Sequence, residues 1–376
     1  MKSNKTAIVV GAGIVGLACA RALALKGYKV TVYERNKRAV GASIRNFGMI
    51  WPIGQPEGRA YQWARRSREI WQEICDSAGI WYAPSGSLHL AYSDAELAVM
   101  EEFTGLYERE RPCLMLSTGE TRKKSEAVNP RGLKGALWSA EELIVDPREA
   151  IPKVALYLQE QLNVEFKWGC CINRIDDATV YSGAGESQKA DKIYVCSGAD
   201  FETLYPKLFG SLEITKCKLQ MMRLVTQPEN WSIGPSLCGG LSMLHYKSFA
   251  AAAATEELRK ILESELPEYF KWGIHVMVSQ NGKAELTIGD SHEYGLCHDP
   301  FDRQHINELI LAYLKRFATF KDWGLLESWN GVYAKMTNGE DHLLLEPNSN
   351  VTILNALGGA GMTLSFGLAE YCISSC

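Results

Sequence analysis

Short apolar runs and one longer stretch of helical character alternate at the start of the chain. The run TAIVV at 6–10 predicts a strand, residues 14–26 predict a helix that ends at Gly27, and KVTVYE at 29–34 predicts a second strand. A helix between two such strands is typical of a βαβ unit, in which the strands run parallel.

Helical patterns return farther along the chain. Residues 59–78 place their apolar side chains on one face of a predicted helix. Ser117 and Glu120 have the spacing of a capping box. Asp146 is a good N-cap with Pro147 in the first turn, so a helix is predicted from there to about residue 162. A long amphipathic helix is predicted over 301–319.

Strand patterns separate these helices. They are the segments VEFKW, CINRI and KIYVC between 164 and 196, CKLQMMRLVTQ and ELTIGD between 217 and 290, and NVTILNAL at 350–357. The second group is predicted to pair in an antiparallel sheet, and the last segment reads as a buried strand.

The turn between the first strand and helix carries a phosphate-binding pattern. VVGAGIVG places Gly11, Gly13 and Gly16 in the G-x-G-x-x-G spacing, and Glu34 ends the second strand. These glycines permit a tight turn, a close approach of a pyrophosphate and close helix–strand packing, while the acidic residue accepts ribose hydroxyls. The pattern predicts a dinucleotide site and leaves FAD and NAD both open.

We therefore expect an α/β fold, α+β overall, with a Rossmann-like nucleotide-binding domain. An inserted domain with a mixed, largely antiparallel sheet is expected to bind the substrate. The nucleotide-binding domain is predicted to be discontinuous, with segments 1–85, 146–211 and 326–376, and the substrate domain takes 86–145 and 212–325.

Composition excludes several classes of function. Of the 376 residues, 46% are hydrophobic, which is enough for a large core, and the formal charge of −4 argues against a nucleic-acid partner. No apolar run reaches the roughly 18 residues of a membrane span. The 11 cysteines form no CxxC pairs, so reduced thiols and a cytoplasmic location are expected, and no metal site is predicted.

Further small-residue turns favour FAD over NAD. GASIRNFGM follows the second strand at 41–49, Gly198 follows a later strand, and GGAGMT at 358–363 opens the last predicted helix. Each turn lets the backbone approach a ligand closely. Several separate backbone contacts of this kind suit FAD, which is an extended dinucleotide with a tricyclic ring system.

These motifs together resemble the superfamily of D-amino-acid oxidase, glycine oxidase and sarcosine oxidase, which are FAD-dependent amine oxidoreductases. The resemblance covers the chain in order, through ER at 34–35, VDPRE at 145–149, WNGVYA at 329–334 and GGAGMT. SIRNFGMIWPIGQPEG, IGDSHEYG and GGAGMTLSFGLAE are similar to a bacterial branch associated with aminophosphonate breakdown.

The resemblance implies which residues contact FAD. The expected contacts are Gly11, Gly13, Ile14, Val15 and Gly16 with the pyrophosphate, Glu34 and Arg35 with the adenosine, Ile172 with adenine, and Ala42, Ser43, Arg45, Asn46, Phe47, Gly48 and Met49 along the ribityl chain. Gly361, Met362 and Thr363 are expected at the N1–C2=O edge of the flavin, with Ser197, Gly198, Gly331, Gly358, Gly359 and Ala360 as further contacts. Backbone amides at a helix N-terminus stabilise negative charge at such an edge.

The chain departs from the family where an arginine normally binds a substrate carboxylate. WNGVYA places Tyr333 at that position, and no cysteine stands nearby to tether the flavin, so the FAD is expected to be non-covalent. An uncharged tyrosine makes an ordinary α-amino acid a poor substrate. Candidates for the substrate pocket are Arg45, Trp51, Gln55, His245, Tyr246, Lys247, Ser291, His292, Tyr333 and Lys335.

The expected activity is oxidation of the C–N bond of a small primary or secondary amine to an imine. Dioxygen is the expected acceptor and is reduced to hydrogen peroxide. The expected substrate is an aminophosphonate such as 2-aminoethylphosphonate or its N-methyl derivative. Three alternatives stay open at this point: a glycine- or sarcosine-type oxidase, a dehydrogenase that passes electrons to a partner, and a flavoprotein without turnover. The sequence does not indicate the oligomeric state or a general base.

Overall fold

A computed structural model describes residues 5–374 of the chain. Residues 1–4 and 375–376, which the predicted nucleotide-binding domain includes, lie outside the described residues. The α-helices within the described range are α1 Ile14–Leu25, α2 Arg59–Ala78, α3 Asp94–Tyr107, α4 Thr118–Lys124, α5 Pro147–Leu162, α6 Pro206–Phe209, α7 Leu241–His245, α8 Ala254–Glu265, α9 Pro267–Lys271, α10 Gln304–Phe317 and α11 Gly361–Ser374.

The strands of the described residues alternate with these helices. Those of the first half are β1 Thr6–Val10, β2 Lys29–Glu34, β3 Met49–Ile50, β4 Tyr82–Ala83, β5 Ser87–Ala91, β6 Cys113–Leu116, β7 Gly135–Ser139, β8 Leu143–Val145, β9 Glu165–Trp168, β10 Ile172–Asp176, β11 Thr179–Ser182 and β12 Ser187–Lys189. Those of the second half are β13 Lys192–Val195, β14 Ile214–Leu224, β15 Ser236–Cys238, β16 Met277–Gln280, β17 Leu286–Gly289, β18 Glu293–Gly295, β19 Leu325–Met336, β20 Leu343–Asn348 and β21 Val351–Asn355.

One sheet has six strands in the order β20-β21-β13-β1-β2-β9. All neighbours are parallel except β20 and β21. In a doubly wound sheet, ligands bind at the carboxyl ends of the strands, near the point where the strand order reverses. Here Gly11, Glu34, Gly198 and Gly358 stand at or just after the carboxyl ends of β1, β2, β13 and β21.

A second, nine-stranded sheet follows the order β18-β14-β17-β16-β15-β5-β7-β6, with β19 paired to β14. Its pairs are antiparallel apart from β5 with β15. The predicted α/β fold class, with a mixed and largely antiparallel second sheet, is confirmed. Strand β19 pairs with β14, so residues 326–336 of the predicted nucleotide-binding domain form part of this sheet, and the domain bounds stay a prediction.

Helices α1, α2, α5 and α11 pack on one face of the six-stranded sheet and bury one apolar core with it. Helices α2 and α11 approach closely at Gly367, where a Cβ atom would lie 2.3 Å from the carbonyl oxygen of Trp63. Arg21 on α1 forms an ion pair of 2.7 Å with Glu370 on α11. Helix α11 is therefore fixed directly beside α1, and the glycine turns that precede these two helices become neighbours.

Several predicted elements have the observed bounds. Helix α2 covers 59–78 and α5 covers 147–162, with the Asp146 side chain accepting a hydrogen bond from the amide of Arg148. The Ser117–Glu120 capping box forms at the start of α4. The helix predicted over 301–319 is shorter in the structure, where α10 covers Gln304–Phe317.

Candidate active site

In the first glycine turn, two backbone amides donate hydrogen bonds to side chains. Gly11 has φ = +105°, and a Cβ atom there would lie 2.4 Å from the carbonyl oxygen of Cys196. The Ala12 amide donates to Glu34 Oε2 at 3.0 Å, and the Ile14 amide donates to Ser43 Oγ at 2.9 Å. The segment after β2 is thereby held against the N-terminus of α1, where the helix dipole favours an anion.

The second glycine turn joins β21 to α11. Residues 358–360 form a single 3-10 turn, and Gly358 has φ = +58°. The indole Nε1 of Trp71 donates to the carbonyl oxygen of Met362 at 2.9 Å, and the Trp51 amide donates to Thr363 Oγ1 at 3.0 Å. These bonds fix the start of α11 relative to α2 and to the segment after β3.

Both turns border one cavity of about 510 Å³. Every residue predicted to contact the cofactor or substrate lines it, except Gly16, Gly48 and Ser291. A Cβ atom at Gly16 or Gly48 would lie within 2 Å of a backbone oxygen, so these glycines serve chain packing. Ser291 is buried, and its hydroxyl accepts a hydrogen bond from the amide of Gln220.

The arginines of the cavity already have partners. Arg45 donates through Nη1 to the carbonyl oxygen of Asn330 at 3.1 Å, and Arg35 forms an ion pair with Asp200. These bonds link the segment after β2 to β19 and to the loop after β13. Arg45 is thus fixed by backbone, which favours a positioning role for it over a free charge.

We call the lining around Gly11, Gly13, Gly198 and residues 358–361 the glycine end of the cavity. A Cβ atom would meet nothing within 4 Å at Gly198, only Ser43 Oγ at 3.1 Å at Gly13, and only the Ile14 side chain at 3.6 Å at Gly361. Since these missing side chains leave space, the lining can approach a ligand with main chain alone. A long cavity with open glycines and a helix N-terminus fits the extended shape and the pyrophosphate of FAD.

We call the lining around His245, His275, His292 and Lys335 the histidine end. Tyr333 and Lys335 are two residues apart on β19, and a Cβ atom at Gly359 or Gly358 would contact their side chains at 3.7 Å. Both side chains therefore lie over the second glycine turn. Burial raises the pKa of Tyr333 well above its ordinary value, so this residue is a neutral phenol.

Lys335 is the cation placed deepest at this end among the described lysines of the lining. Its Nζ donates to the hydroxyl of Tyr294 at 3.1 Å, and burial lowers its pKa. Lys247 lies nearer the rim, where its side chain is about half exposed and forms an ion pair with Asp341. The two lysines are thus distinct, because only Lys247 has a carboxylate partner.

Three histidines from separate elements meet here. The ring centroids of His245 and His275 are 3.8 Å apart, and that of His292 lies 4.6 Å from His245. Burial and the neighbouring rings lower the pKa of His245 and His275 well below the ordinary value, and burial lowers that of His292 to about 4. All three imidazoles are therefore neutral.

Asp290 completes this group. Its Oδ1 lies 3.1 Å from Nε2 of His275, and burial raises its pKa well above the ordinary value. Sequence reasoning missed both His275 and Asp290. His275 sits in a strand-like apolar run without any motif, while Asp290 belongs to the IGDSHEYG segment and was not selected.

Trp51 and Gln55, two candidates for the substrate pocket, both line the cavity. Trp51 is buried, its indole lies 6.2 Å from the Tyr246 ring, and its Nε1 has no hydrogen-bond partner among the described residues. The carbonyl oxygen of Gln55 accepts a hydrogen bond of 3.0 Å from Arg111. A Cβ atom at Gly54 would lie 2.6 Å from Tyr246, so this segment packs directly against the start of residues 246–251.

Comparison with known proteins agrees with this geometry. The sequence model of a family described as FAD dependent oxidoreductase (DAO) matches residues 6–374. The D-amino acid dehydrogenase of Helicobacter pylori is 48% identical over 215 residues, covering 43% of this chain and 51% of that protein. The chain spans between 23% and 51% of the length of the curated relatives that it matches.

Two solved structures show the same fold over nearly the whole chain. The L-proline dehydrogenase from P. horikoshii superposes with a TM-score of 0.76 at 19% identity and covers 100% of this chain and 93% of its own. The glycine oxidase from Geobacillus kaustophilus gives a TM-score of 0.76 at 16% identity, with 99% and 94% covered. Within residues 5–374, no helix has the length and apolar character needed to cross a membrane.

Proposed function

Because the chain belongs to the DAO family of FAD-dependent oxidoreductases, we propose that it oxidises the C–N bond of a small primary or secondary amine that carries a phosphonate group. The observation that carries this proposal is the histidine end of the cavity. There Tyr333 stands where the family resemblance implies an arginine, and the partly buried Lys335 and three imidazoles line the same cavity.

The glycine end would hold the FAD. The amides at the N-terminus of α1 and the Glu34 carboxylate would bind the pyrophosphate and ribose, and the amides of residues 361–363 would face developing negative charge. Bound FAD supplies the hydride acceptor; dioxygen, as final acceptor, yields hydrogen peroxide, and the imine product hydrolyses to an aldehyde or keto compound. We propose non-covalent attachment, so denatured protein should release intact FAD.

The histidine end would orient the substrate. A phosphonate is tetrahedral and carries up to two charges, so separate donors around it bind it better than one planar guanidinium does. Lys335 provides a charge, and Tyr246 and Tyr333 provide neutral hydroxyl groups in the same lining. Holding the acid group here and the amine toward the second glycine turn would orient the C–H bond for transfer.

An anaerobic substrate screen tests the proposal. Holoenzyme is mixed with 2-aminoethylphosphonate, its N-methyl derivative, glycine, sarcosine and D-alanine, and bleaching of the flavin band is followed. We expect kcat/KM for an aminophosphonate to exceed the others by at least about tenfold, or about 1.4 kcal/mol. Equal or faster turnover of glycine or sarcosine would overturn the phosphonate assignment, and no bleaching by any amine would overturn amine oxidation.

A dehydrogenase is the second candidate, because a D-amino acid dehydrogenase and an L-proline dehydrogenase are among the similar proteins. Such an enzyme would pass its electrons to a partner acceptor rather than to dioxygen. Stopped-flow mixing of reduced enzyme with air-saturated buffer separates the two. Reoxidation faster than turnover identifies an oxidase, and reoxidation much slower than turnover with an artificial acceptor identifies a dehydrogenase.

A further inference from the structure

We propose that His245, His275 and His292 bind one divalent transition-metal ion of the zinc type. The ion's remaining coordination positions would face the cavity and accept an oxygen of the substrate's acid group. This second part rests on the proposed function, while the metal site itself does not.

The first support is the position of the donor atoms. One ring nitrogen from each histidine can be chosen so that all three lie within 4.8 Å of one another. Ligand nitrogens around tetrahedral zinc are about 3.4 Å apart, since each Zn–N bond is about 2.0–2.1 Å. Small rotations of the three side chains, with shifts of about 1 Å, would bring the nitrogens to this spacing.

The second support is the set of bonds that orient the rings. Nδ1 of His292 lies 2.8 Å from the carbonyl oxygen of Gly273, which can only accept, so Nδ1 carries the hydrogen and Nε2 has the free lone pair. Nε2 of His275 lies 3.1 Å from Asp290 Oδ1 as an ion-pair contact without hydrogen-bond geometry, and its Nδ1 lies 3.5 Å from Ser242 Oγ. A ring nitrogen bonded to a backbone carbonyl or to a carboxylate is typical of histidines that bind metal through the other nitrogen.

The third support is a ring without a partner. Within residues 5–374, no protein group forms a hydrogen bond with either ring nitrogen of His245, although this ring stacks on His275 at 3.8 Å. Aromatic stacking explains the contact between the rings and leaves the nitrogens of His245, which is not fully buried, available to a ligand in the cavity. A metal ion between the three histidines would use one of them.

The donor set also indicates the class of metal. Imidazole nitrogen suits zinc, iron, copper and nickel, whereas magnesium and calcium prefer oxygen ligands. Three protein ligands with a further open position are typical of zinc sites that bind a substrate or water.

The charges nearby connect the ion to the substrate. Lys335 lines the same cavity as the three histidines, and Asp290 Oδ1 lies 3.1 Å from Nε2 of His275. A divalent ion together with Lys335 would give this end of the cavity a net positive charge even beside an ionised Asp290. The surplus positive charge would attract a phosphonate dianion, which the neutral Tyr333 alone would not do.

Calorimetric titration of the holoenzyme with zinc tests the site. The protein is first dialysed against a chelator, and flavin absorbance confirms that each preparation is folded and loaded. We expect one zinc ion per chain for the wild type, and at least about tenfold weaker binding in His245→Ala, His275→Asn and His292→Asn. His305→Ala, which removes an exposed histidine outside the cavity, is the matched control and should bind zinc like the wild type.

No stoichiometric zinc binding by the wild type, or equal binding by all three variants, would overturn the site. If one variant loses its flavin and is therefore not comparable, the zinc stoichiometry of the wild type and the affinities of the other two variants test the site. Methylphosphonate then tests the role of the ion, through the change that it causes in the flavin spectrum. We expect at least about tenfold tighter binding with zinc present than without it; an equal affinity would overturn the anion role.

These results are distinct from a failure of the proposed function. Zinc binding without flavin bleaching by any amine would retain the metal site and reject amine oxidation. Rapid amine oxidation by a protein that binds no zinc would retain the oxidase and reject the metal site.

Discussion

At the glycine end of the cavity the lining is mostly main chain, and at the histidine end it is side chain. Gly11, Gly13 and Gly198 approach the cavity with backbone alone, on turns that directly follow β1 and β13. His245, His275 and Lys335 come from a helix end, a loop before β16 and strand β19. A site made of backbone depends on short local motifs, whereas a site made of side chains depends on distant segments meeting.

The largest effect is expected from Gly11→Ala. The new Cβ atom would lie 2.4 Å from a backbone oxygen in a conformation with φ = +105°, so the turn must move. Bound flavin, measured by absorbance after gel filtration, should fall below about a tenth of the wild-type content.

Gly27→Ala is the matched control for this change. Gly27 also has positive φ, at +84°, but a Cβ atom added there would have no other atom within 4 Å. The control should cost only about 1 kcal/mol of stability and keep its flavin. Full flavin content in Gly11→Ala would show that flavin binding does not depend on the exact course of this turn.

The next largest effect concerns the other end. Lys335→Met should lower kcat/KM for the aminophosphonate by at least about tenfold, because the cation facing the acid group is lost. Flavin content should not change. Lys247→Met removes the same charge from the rim, where Asp341 already pairs with it, and should change kcat/KM less. An equal effect of the two variants would assign only a general electrostatic role to Lys335.

Gly361→Val tests whether the second glycine turn serves the cofactor. A side chain there would meet only Ile14 at 3.6 Å, so the fold should persist while the space beside the flavin edge is filled. Anaerobic flavin reduction should be about fivefold slower, which is about 1 kcal/mol in the barrier. Reduction at the wild-type rate would remove this turn from the flavin contacts.

A different effect, on stability rather than on catalysis, is expected at Glu142, which joins two segments of the protein. It accepts hydrogen bonds from the Ile53 amide at 3.1 Å and the Ser87 hydroxyl at 3.0 Å. Burial raises the pKa of this carboxyl from 4.5 to about 7, and Glu141 adds to the shift. Between pH 4.5 and 7, Glu142 keeps its proton in the folded protein, whereas the same group in the unfolded chain has lost it. The free energy of unfolding therefore falls as pH rises through this range.

Glu142→Gln removes this dependence. We expect the Tm of Glu142→Gln minus that of the wild type to be a few degrees larger at pH 8 than at pH 5. The full pKa shift corresponds to about 3 kcal/mol of unfolding free energy. Thermal unfolding at both pH values measures this. A Tm difference that does not change with pH would show that Glu142 is ionised in the folded protein.

The sequence predicts the glycine end well for a physical reason. The first βαβ unit, α2 and the cap of α5 at Asp146 are set by interactions between residues close in the chain. The spacing of the glycines in a strand–turn–helix segment is enough to predict a dinucleotide-binding turn. Even so, Gly16 and Gly48 pack against backbone rather than line the cavity, because a missing side chain serves packing and ligand approach equally well.

The histidine end was predictable only in part. His292 lies in IGDSHEYG and Tyr333 in WNGVYA, two segments that resemble a family, whereas His245 and Lys335 are candidates only because their side chains can bind an acid group. His275 joins them through the pairing of β16 with β17, which no local pattern specifies. Its neighbours in space are separated along the chain by irregular distances, so no ligand spacing of the usual metal motifs appears.

The contact between α1 and α11 has a consequence for how the protein is made. Residues 6–34 leave the ribosome early, whereas β21 and α11, which complete the lining beside them, are synthesised more than 300 residues later. The growing chain can form its first βαβ unit but lacks the Gly358–Gly361 turn and the Arg21–Glu370 ion pair. With both turns contacting the flavin, as we propose, its capture is a late step of biosynthesis that joins the early and late parts of the chain.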